Sequence, residues 1–387
     1  MSAVEAALAV PHVLSGIRPD RALTFAEHER TFGPLARRRD LIELTANSGL
    51  RGRGGAAFPT ATKLEAVIAQ RGKPVVVVNA AEGEPLSRKD RALIRLTPHL
   101  VLDGAALVAA ALGSDRVVVA IAENAAAEHA ALSHAIRERR SDVEIATVPA
   151  RFVAGEETAL LQAIAGRPAK PTLKPPFPFE RGLDGRPTLV QNAETLAQVA
   201  LIGRHGVASG TSLVTLSGAF AQPGVHEIGV GGTLAELVRS LGGTVEPISA
   251  FLVAGYFGRW VAADDAASFP MTPEALGAGV VFALPARACP IVESARIVRY
   301  LAGESAGQCG PCVYGLDAIA GAFESLARGD ADAGSAASQL RRWADQVRGR
   351  GACRHPDGAA RFVESGLDVF AADVARHAQH HPCRDRR

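Results

Sequence analysis

The pattern of hydrophobic and polar positions predicts alternating strands and helices over the first half of the chain. Two continuous β-branched runs, 74–79 and 116–121, are typical of strands buried on both faces of a sheet. The further elements predicted in this half are helices at 64–70, 90–113, 123–140 and 159–165, strands at 143–148 and 188–191, and a helix from Asn192. This alternation predicts a mostly parallel sheet with crossover helices, which is an α/β fold.

The pattern changes after residue 212 and again after residue 290. Short alternating strands with one helix at 234–241 predict a compact α+β module that ends near residue 285. Beyond it, a small antiparallel bundle is predicted from helical patterns at 291–302, 316–326, 333–348 and 359–377. We therefore expect three domains: an α/β domain with an N-terminal helical extension at 1–205, the α+β module at 206–286, and a helical domain at 287–387.

Composition and charge narrow the classes of function. The 42 basic and 40 acidic residues give a net charge of +2, which does not indicate a nucleic-acid partner. The longest apolar stretch, 100–113, is too short to span a membrane and contains Asp103. The first residues include Glu5 and lack a basic region, so a secretory signal is not expected. We predict a cytoplasmic protein with no membrane span of its own.

The glycine-rich loop, residues 47–63, is the first candidate binding element. Its glycines allow main-chain N–H groups to approach a ligand closely, and they are Gly49, Gly52, Gly54 and Gly55. With Arg51, Arg53 and Lys63 nearby and a helix beginning near Pro59, the loop predicts a cradle for an anion. A flexible surface loop is the alternative. The spacing fits neither a Walker A loop nor a G-x-G-x-x-G fingerprint after a strand.

Two further polar segments lie where open α/β sheets bind ligands. Residues 79–85, Asn-Ala-Ala-Glu-Gly-Glu-Pro, follow a buried strand, and ligands bind at the carboxyl ends of such strands. Gly155, Glu156 and Glu157 stand at the start of a helix. Acidic residues in a first helical turn also serve as simple caps, so capping is the alternative for this segment.

Five cysteines, an odd number clustered late in the chain, favour metal or redox chemistry over a disulfide framework. Cys309 and Cys312 form a C-x-x-C at the start of a helix, and Cys353 follows one helical hairpin later, so three thiolates can converge on one site. The candidates for a fourth ligand are Cys289, Cys383, His355 or an exogenous group. The three cysteines with His355 would also satisfy a Cys3His zinc site.

Taken together, six motifs resemble, in order, the flavoprotein subunit of respiratory complex I and of NAD-linked hydrogenases and formate dehydrogenases. They lie at 48–60, 79–85, 155–160, 174–178, 192–195 and 304–312 with Cys353. The resemblance runs from about residue 40 to 375. It implies a Rossmann-like FMN-binding domain, a ubiquitin-like β-grasp (SLBB) domain and a helical [4Fe–4S] domain. It also implies NADH (or NADPH) as the hydride donor and an iron–sulfur or ferredoxin-like protein partner.

The resemblance assigns roles to particular residues of this chain. The residues expected around FMN are Gly52, Arg53, Gly54, Gly55, Lys63, Asn79, Glu82, Gly155, Glu156, Asn192 and Thr195. The residues expected to face the dinucleotide are Phe58, Glu84, Glu157 and Phe177. Among these, Glu157 would accept a hydrogen bond from the nicotinamide amide rather than shuttle a proton. The cluster ligands expected are Cys309, Cys312 and Cys353.

Three departures from the family pattern leave alternative functions open. Ala81 replaces an Asp near the flavin, Ala66 replaces an aromatic residue near the adenine, and Ala306 replaces the first cluster cysteine. Cys289 is the predicted replacement ligand. These departures leave two alternatives to the oxidation of NADH. One is a flavoprotein that no longer uses NADH and relays electrons between protein carriers. The other is a non-catalytic scaffold with structural zinc at the cysteines.

Overall fold

The computed structural model describes residues 10–383. Residues 1–9, which include the Glu5 on which the signal-sequence prediction rests, and residues 384–387 lie outside the described part.

A four-stranded parallel sheet of order β3-β2-β1-β4 organises the first part of the chain. Its strands are β1 (Val75–Ala80), β2 (Arg116–Ala122), β3 (Glu144–Val148) and β4 (Thr188–Asn192). Val76 and Val78 pack into the core on one face, and Val75 and Val77 pack into a second core on the other. Both faces of β1 are therefore covered, which explains its uninterrupted hydrophobic run. The predicted parallel α/β sheet is confirmed.

Eight helices accompany this sheet within residues 10–383. They are α1 (Phe25–Phe32), α2 (Leu41–Asn47), α3 (Thr60–Ile68), α4 (Lys89–Leu96), α5 (Pro98–Leu112), α6 (Ala126–Arg139), α7 (Glu157–Ile164) and α8 (Ala193–His205). Helices α5 and α8 pack on one face of the sheet and α7 packs on the other. Gly104 brings α5 against α8, since a Cβ at this position would lie 1.9 Å from the carbonyl oxygen of Leu196.

The prediction of a single helix at 90–113 is wrong. The structure has two helices here, α4 and α5, which meet at an angle of 94°. The break falls at Thr97. Pro98 disfavours the helical conformation in the residue before it and cannot donate a backbone hydrogen bond, so it begins a new helix instead. Within the described residues, no single helix is long and apolar enough to cross a membrane, and only this bent pair would meet the criteria when taken together.

The second part of the chain contains a five-stranded mixed sheet of order β6-β5-β9-β7-β8. Its strands are β5 (Thr211–Gly218), β6 (Gly224–Gly229), β7 (Ile248–Val253), β8 (Arg259–Ala262) and β9 (Val280–Pro285), with short helices α9 (Leu234–Ser240) and α10 (Pro273–Leu276). One face of the sheet packs on α9. The other packs on the C-terminal helices through Leu252 and Trp260. The assignment of this part as an SLBB β-grasp domain stays a prediction.

Helices form the third part of the described chain. They are α11 (Pro290–Gly303), α12 (Asp317–Arg328), α13 (Ala333–Val347), α14 (His355–Val369) and α15 (Ala371–Ala378). Phe323, Leu340 and Phe362 lie in their shared core. The helix predicted at 359–377 is wrong in its bounds, because the chain begins α14 at His355 and breaks at Phe370. A π-helical turn, Pro311–Leu316, leads into α12 and contains Cys312.

Candidate functional site

The glycine-rich loop is closed by backbone hydrogen bonds and lies against the start of α8. The N–H of Gly52 donates to the carbonyl of Phe58, and the N–H of Thr60 donates to the carbonyl of Leu50, each at 2.9 Å. A Cβ on Gly54 would lie 3.3 Å from the Cβ of Asn192, and an added methyl group would therefore press on that residue. The loop is thus held beside Asn192 just before α3 begins, as the interpretation as an anion cradle requires.

Arg53 anchors this loop. Its backbone N–H donates to Oγ1 of Thr195 at 2.9 Å, and its Nη2 donates to the carbonyl of Thr211 at 3.0 Å. Its Nε lies 3.8 Å from a carboxylate oxygen of Glu194. These contacts position the loop, while Nε and Nη1 of Arg53 are buried without a hydrogen-bond partner among residues 10–383, and the cofactor contacts of Arg53 and Thr195 stay predictions.

Beneath the loop lies a buried charge cluster formed by Arg53, Lys89, Asp90 and Glu194, each at most 8 % exposed. The Nζ of Lys89 lies 2.9 Å from Asp90 and 3.0 Å from Glu194. Burial acts to lower the pKa of Lys89, but Asp90 and Glu194 outweigh it and raise the pKa. Sequence analysis missed this cluster because its members lie far apart in the chain, and only the adjacent Lys89 and Asp90 hint at it.

The cluster also connects the two sheets. Glu194 accepts a hydrogen bond from the N–H of Leu213 in β5 at 2.8 Å. Asp90 accepts one from Nδ2 of Asn192 at 2.8 Å, while Oδ1 of Asn192 caps α8 by accepting from the N–H of Glu194. The side chain of Asn192 is therefore fixed from both sides where it meets the glycine-rich loop.

A carboxylate–lysine cluster, Lys63, Glu156, Glu157 and Lys174, lies beside the end of β4. Lys63 Nζ donates to Glu157 at 3.2 Å and to the carbonyl of Val190 at 2.9 Å. Lys174 Nζ lies 3.0 Å from both Glu156 and Glu157. Burial acts to raise the pKa of Glu157, but the two ammonium groups outweigh it and hold the pKa below its usual value. Glu157 is therefore ionised at neutral pH and can accept hydrogen bonds.

Glu156 and Asn79 organise the backbone next to this cluster. Oε2 of Glu156 accepts from the N–H groups of Thr158 and Ala159 at 2.8 and 3.0 Å, so the capping interpretation of this residue fits the structure. Nδ2 of Asn79 donates to the carbonyl of Gly155 at 2.9 Å. The ends of β1 and β4 and the start of α7 thus meet at one edge of the parallel sheet, the edge where such sheets bind ligands. Sequence analysis missed Lys174, although it stands in the K-P-P-F-P motif.

Glu82 and Glu84 are held by hydrogen bonds from the backbone. Oxygens of Glu82 accept from the N–H groups of Asp90 and Arg91 at 3.1 and 3.3 Å, at the start of α4. Glu84 accepts from the N–H of Tyr256 at 2.9 Å, which connects the first part of the chain to the second. Backbone donors therefore hold both carboxylates in place, and the cofactor contacts assigned to Glu82 and Glu84 stay predictions.

Two large aromatic side chains of this region are exposed. Phe58 is 52 % exposed and Phe177 is 40 % exposed. Phe177 stacks on Phe179, with ring centroids 5.3 Å apart and an angle of 9° between the ring planes. Exposed aromatic faces next to ionised lysines and carboxylates offer a stacking surface for a nucleotide base or a nicotinamide ring.

The cysteine cavity lies between the helical part and the first part of the chain. Cys309, Cys312 and Cys353 line it together with Ala306 and His355. Burial, together with the neighbouring Cys353 and Cys309, raises the pKa of Cys312 to about 12. A metal or cluster bound here must therefore displace protons from the thiols.

His355 lines this cavity and has a ring nitrogen that is unpaired within the described part of the chain. Its Nε2 lies 2.7 Å from the carbonyl of Leu301, and because a carbonyl only accepts, Nε2 carries the proton. Its Nδ1 is buried and has no hydrogen-bond partner among residues 10–383. Burial lowers the pKa of His355, so the ring is neutral and Nδ1 presents a lone pair. This is the arrangement of a metal-ligating histidine.

The structure does not bring Cys289 to this cavity. Cys289 precedes α11, whereas Ala306 follows its end, and a helix of 14 residues is about 21 Å long. Among the described residues, Cys289 lies instead with His377 and Cys383. The prediction of Cys289 as the replacement ligand is therefore wrong for this structure.

Comparison with known proteins gives two family matches. Residues 45–201 match the Nuo51 FMN-binding domain, and residues 293–377 match the iron–sulfur binding region of NADH-ubiquinone oxidoreductase-F. The first range contains the glycine-rich loop and the carboxylate–lysine cluster. The second contains the three cysteines of the cavity.

Relatives and solved structures agree with these matches. The F 2 subunit of the NADH-quinone oxidoreductase of Rhizobium meliloti is 31 % identical over 379 residues, covering 89 % of this chain and 90 % of the relative. The corresponding F subunit of Aquifex aeolicus is 30 % identical, covering 76 % and 75 %. An NAD+-reducing [NiFe]-hydrogenase in its H2-reduced state matches with a TM-score of 0.81 and 29 % identity over 90 % of this chain. This chain spans 64 % of that hydrogenase chain.

Proposed function

Because the chain belongs to the family of FMN-binding flavoprotein subunits of NADH-quinone oxidoreductases, we propose that it oxidises NADH with bound FMN and passes the electrons singly to an iron–sulfur cluster. The resemblance stated from the sequence motifs is confirmed, and with it an NADH dehydrogenase-type flavoprotein. The residues that carry out this chemistry are assigned in the following paragraphs as parts of the proposal.

One observation carries the proposal: the cysteine cavity contacts the segments that hold the carboxylate–lysine cluster. Val153 and Pro171 line the cavity together with Cys309 and Cys312. Val153 lies two residues before Gly155, and Pro171 lies three residues before Lys174. In addition, Nε2 of Gln308 donates to the carbonyl of Pro171 at 3.0 Å. Two candidate cofactor sites in direct contact support electron transfer from one to the other.

The residues at the edge of the parallel sheet fit FMN. The N–H of Gly52 is bonded within the loop, so we assign the main-chain N–H groups of Gly54 and Gly55, before the start of α3, to the phosphate. Lys63, Asn79 and Asn192 surround the same edge, and Gly52, Gly54, Gly55, Gly155 and Glu156 complete the proposed set. FMN, when bound, accepts a hydride and releases electrons one at a time. The protein holds it there and positions the donor.

The dinucleotide would lie against the exposed face of this region. We assign Phe58 and Phe177 to stacking and the ionised Glu157 to accepting a hydrogen bond from the carboxamide of the nicotinamide. Lys63 and Lys174 keep Glu157 deprotonated, so it holds the donor in place and takes no proton from it. Ala66 offers no aromatic wall, and loss of one base–aromatic stack costs about 1–3 kcal/mol. We therefore expect weak binding of NADH.

The cysteine cavity fits an iron–sulfur cluster with three thiolates and one imidazole. Ala306 has no donor atom, whereas Nδ1 of His355 is buried, unprotonated and without a partner among residues 10–383. We propose Cys309, Cys312, Cys353 and His355 as the ligands. A histidine in place of a cysteine raises the reduction potential of a cluster. For zinc in the scaffold alternative these four side chains would have to move closer together, because among residues 10–383 the ligand atoms that lie within 4.8 Å of one another belong to Cys289, His377 and Cys383.

The partner and the compartment are proposed on similar grounds. The relatives are named as subunits of an oxidoreductase, which supports a protein partner, and we propose an iron–sulfur or ferredoxin-like protein in that place. All five cysteines lie in the described part of the chain and all are free, as expected in the reducing cytoplasm.

The test is an anaerobic spectrum of the purified chain before and after NADH, followed by EPR after dithionite. We expect a flavin spectrum that NADH bleaches and an EPR signal from reduced iron and sulfur. Bound flavin that NADH does not bleach would favour the relay between protein carriers, and a colourless protein with zinc would favour the scaffold. His355→Cys should retain iron and lower the midpoint potential of the EPR signal. An unchanged potential would contradict ligation by His355.

A further inference from the structure

A second group of metal-ligating side chains lies at the far end of α11 from the cysteine cavity. Cys289 directly precedes α11, His377 lies in α15, and Cys383 follows α15. Nε2 of His377 is 3.5 Å from Sγ of Cys289 and 3.3 Å from Sγ of Cys383. All three ligand atoms lie within 4.8 Å of one another. We propose that these side chains bind one zinc ion, in a site separate from the iron–sulfur cluster.

The distances fit a single tetrahedral ion. Zinc lies about 2.3 Å from sulfur and about 2.0–2.1 Å from nitrogen, which in tetrahedral geometry places these two ligand atoms about 3.5 Å apart. The two sulfur–nitrogen distances, 3.5 and 3.3 Å, lie close to that value. Zinc can therefore enter without a large rearrangement of the side chains.

His377 has the protonation and ring orientation of a zinc ligand. Its Nδ1 lies 3.0 Å from the carbonyl oxygen of Leu326, and because that oxygen only accepts, Nδ1 carries the proton. Nε2 therefore presents its lone pair toward the two sulfurs. A histidine whose other nitrogen donates to a backbone carbonyl is the usual supporting arrangement in metal sites. The N–H of Cys383 donates to this Nε2 at 3.0 Å, and zinc would replace that neutral hydrogen bond.

The donor set selects the type of metal. Two thiolates and one imidazole suit zinc rather than the oxygen-seeking magnesium or calcium. Nη2 of Arg376 lies 2.8 Å from Sγ of Cys383, which places a positive charge beside this ligand. Three protein ligands leave the fourth position to water.

The site would fasten the segment after α15 to the start of the helical part. This segment already contacts the turn after α12, where Nδ1 of His380 lies 3.1 Å from the carbonyl of Gly329. A Cβ on Gly329 would lie 2.8 Å from Cδ of Pro382. Zinc bound by Cys289 and Cys383 joins residues far apart in the sequence, so it would stabilise the helical part by restricting the unfolded chain.

Metal analysis of the full-length chain tests the proposal. The protein is dialysed against Zn²⁺ with a reducing agent, passed over a chelating resin and analysed for zinc and iron. We expect about one zinc per chain in the wild type and background zinc in both Cys289→Ser and Cys383→Ser. His381→Ala is the matched control, because His381 is an exposed histidine two residues before Cys383 and should leave the zinc content unchanged.

Several outcomes would overturn the proposal. They are a wild-type chain without zinc, a Cys289→Ser variant that loses iron in place of zinc, or equal zinc in Cys289→Ser and the wild type. A disulfide between Cys289 and Cys383, seen as two thiols that titrate only after reduction of the unfolded chain, would overturn it as well. Circular dichroism of each variant shows whether it is folded. If Cys289→Ser does not fold, the test rests on Cys383→Ser, whose substitution lies near the end of the chain. A folded Cys383→Ser variant with the full zinc content of the wild type would contradict the proposed site.

Discussion

The crossing of α5 and α8 gives a sharp test of how packing positions the flavin edge. At Gly104 an added Cβ would lie 1.9 Å from the carbonyl oxygen of Leu196 and 2.5 Å from its carbonyl carbon. A tolerable contact needs about 3.0 Å, so Gly104→Ala must shift the two helix backbones apart by about 1 Å. Helix α8 begins directly after Asn192, and the shift would therefore also move the residue that meets the glycine-rich loop.

The expected loss of stability follows from two opposing effects. Forcing extra volume into a packed core costs about 1–3 kcal/mol, and the upper end applies here because a backbone carbonyl cannot rotate away. Alanine in a helix interior recovers about 1 kcal/mol relative to glycine. The net loss is about 2 kcal/mol. For a domain of this size it lowers the unfolding midpoint by about 4–8 °C.

The assay is thermal unfolding followed by circular dichroism, with the flavin content measured on the same samples. Gly321→Ala is the matched control, because Gly321 is also a helical glycine and, apart from its own helix backbone and chain neighbours, no atom of the described residues lies within 4 Å of a Cβ built there. That variant should be as stable as the wild type or up to about 1 kcal/mol more stable. If Gly104→Ala unfolds at or above the wild-type midpoint, the packing argument fails.

Three further outcomes are expected from the candidate site. Lys63→Ala should lose the flavin. Lys73→Ala, which changes an exposed lysine, should retain it. Retained flavin in Lys63→Ala would contradict the proposed role of Lys63. Lys174→Met removes the ammonium group 3.0 Å from Glu157, so the pKa of Glu157 should rise. The bleaching of the flavin by NADH should then weaken first at acidic pH. An unchanged pH profile of the bleaching would contradict this. Burial raises the pKa of Glu84 to about 7, although backbone hydrogen bonds from Tyr256 and Leu86 act to lower it. The folded protein therefore holds the proton on Glu84 more tightly than the unfolded chain does. The stability that Glu84 contributes is therefore present at acidic pH and is lost as pH rises through about 7. Glu84→Gln should flatten the fall of the unfolding midpoint between about pH 5 and 8, and an equal slope in both proteins would refute it.

Much of the fold could be predicted from the sequence, because the patterns that predict its strands and helices are local. A continuous β-branched run predicts a strand covered on both faces, and Val75 to Val78 divide between two cores as expected. The predictions failed where one residue interrupts a regular pattern. Pro98 ends one helix and begins another inside a stretch whose hydrophobic positions read as continuous.

Less of the candidate site could be predicted from the sequence, because its geometry depends on contacts between residues that lie far apart in the chain. The motifs placed Lys63, Glu156 and Glu157 together, and the structure does so as well. They did not predict that the carboxylate of Glu84 accepts a hydrogen bond from the backbone N–H of Tyr256. Nor did they predict that the buried guanidinium of Arg53 donates to the carbonyl of Thr211. For Cys289, sequence proximity to Ala306 was misleading, since the length of α11 separates them.

The buried charge cluster beneath the glycine-rich loop limits how this chain can evolve. Removing one member of a buried ion pair leaves an uncompensated charge and costs about 3–5 kcal/mol, a large share of the stability of a typical domain. Arg53, Lys89, Asp90 and Glu194 come from three separate segments, so no single substitution can neutralise them as a set. Across descendants of this chain the four positions should change together or stay fixed, even in lineages that have abandoned the original electron donor.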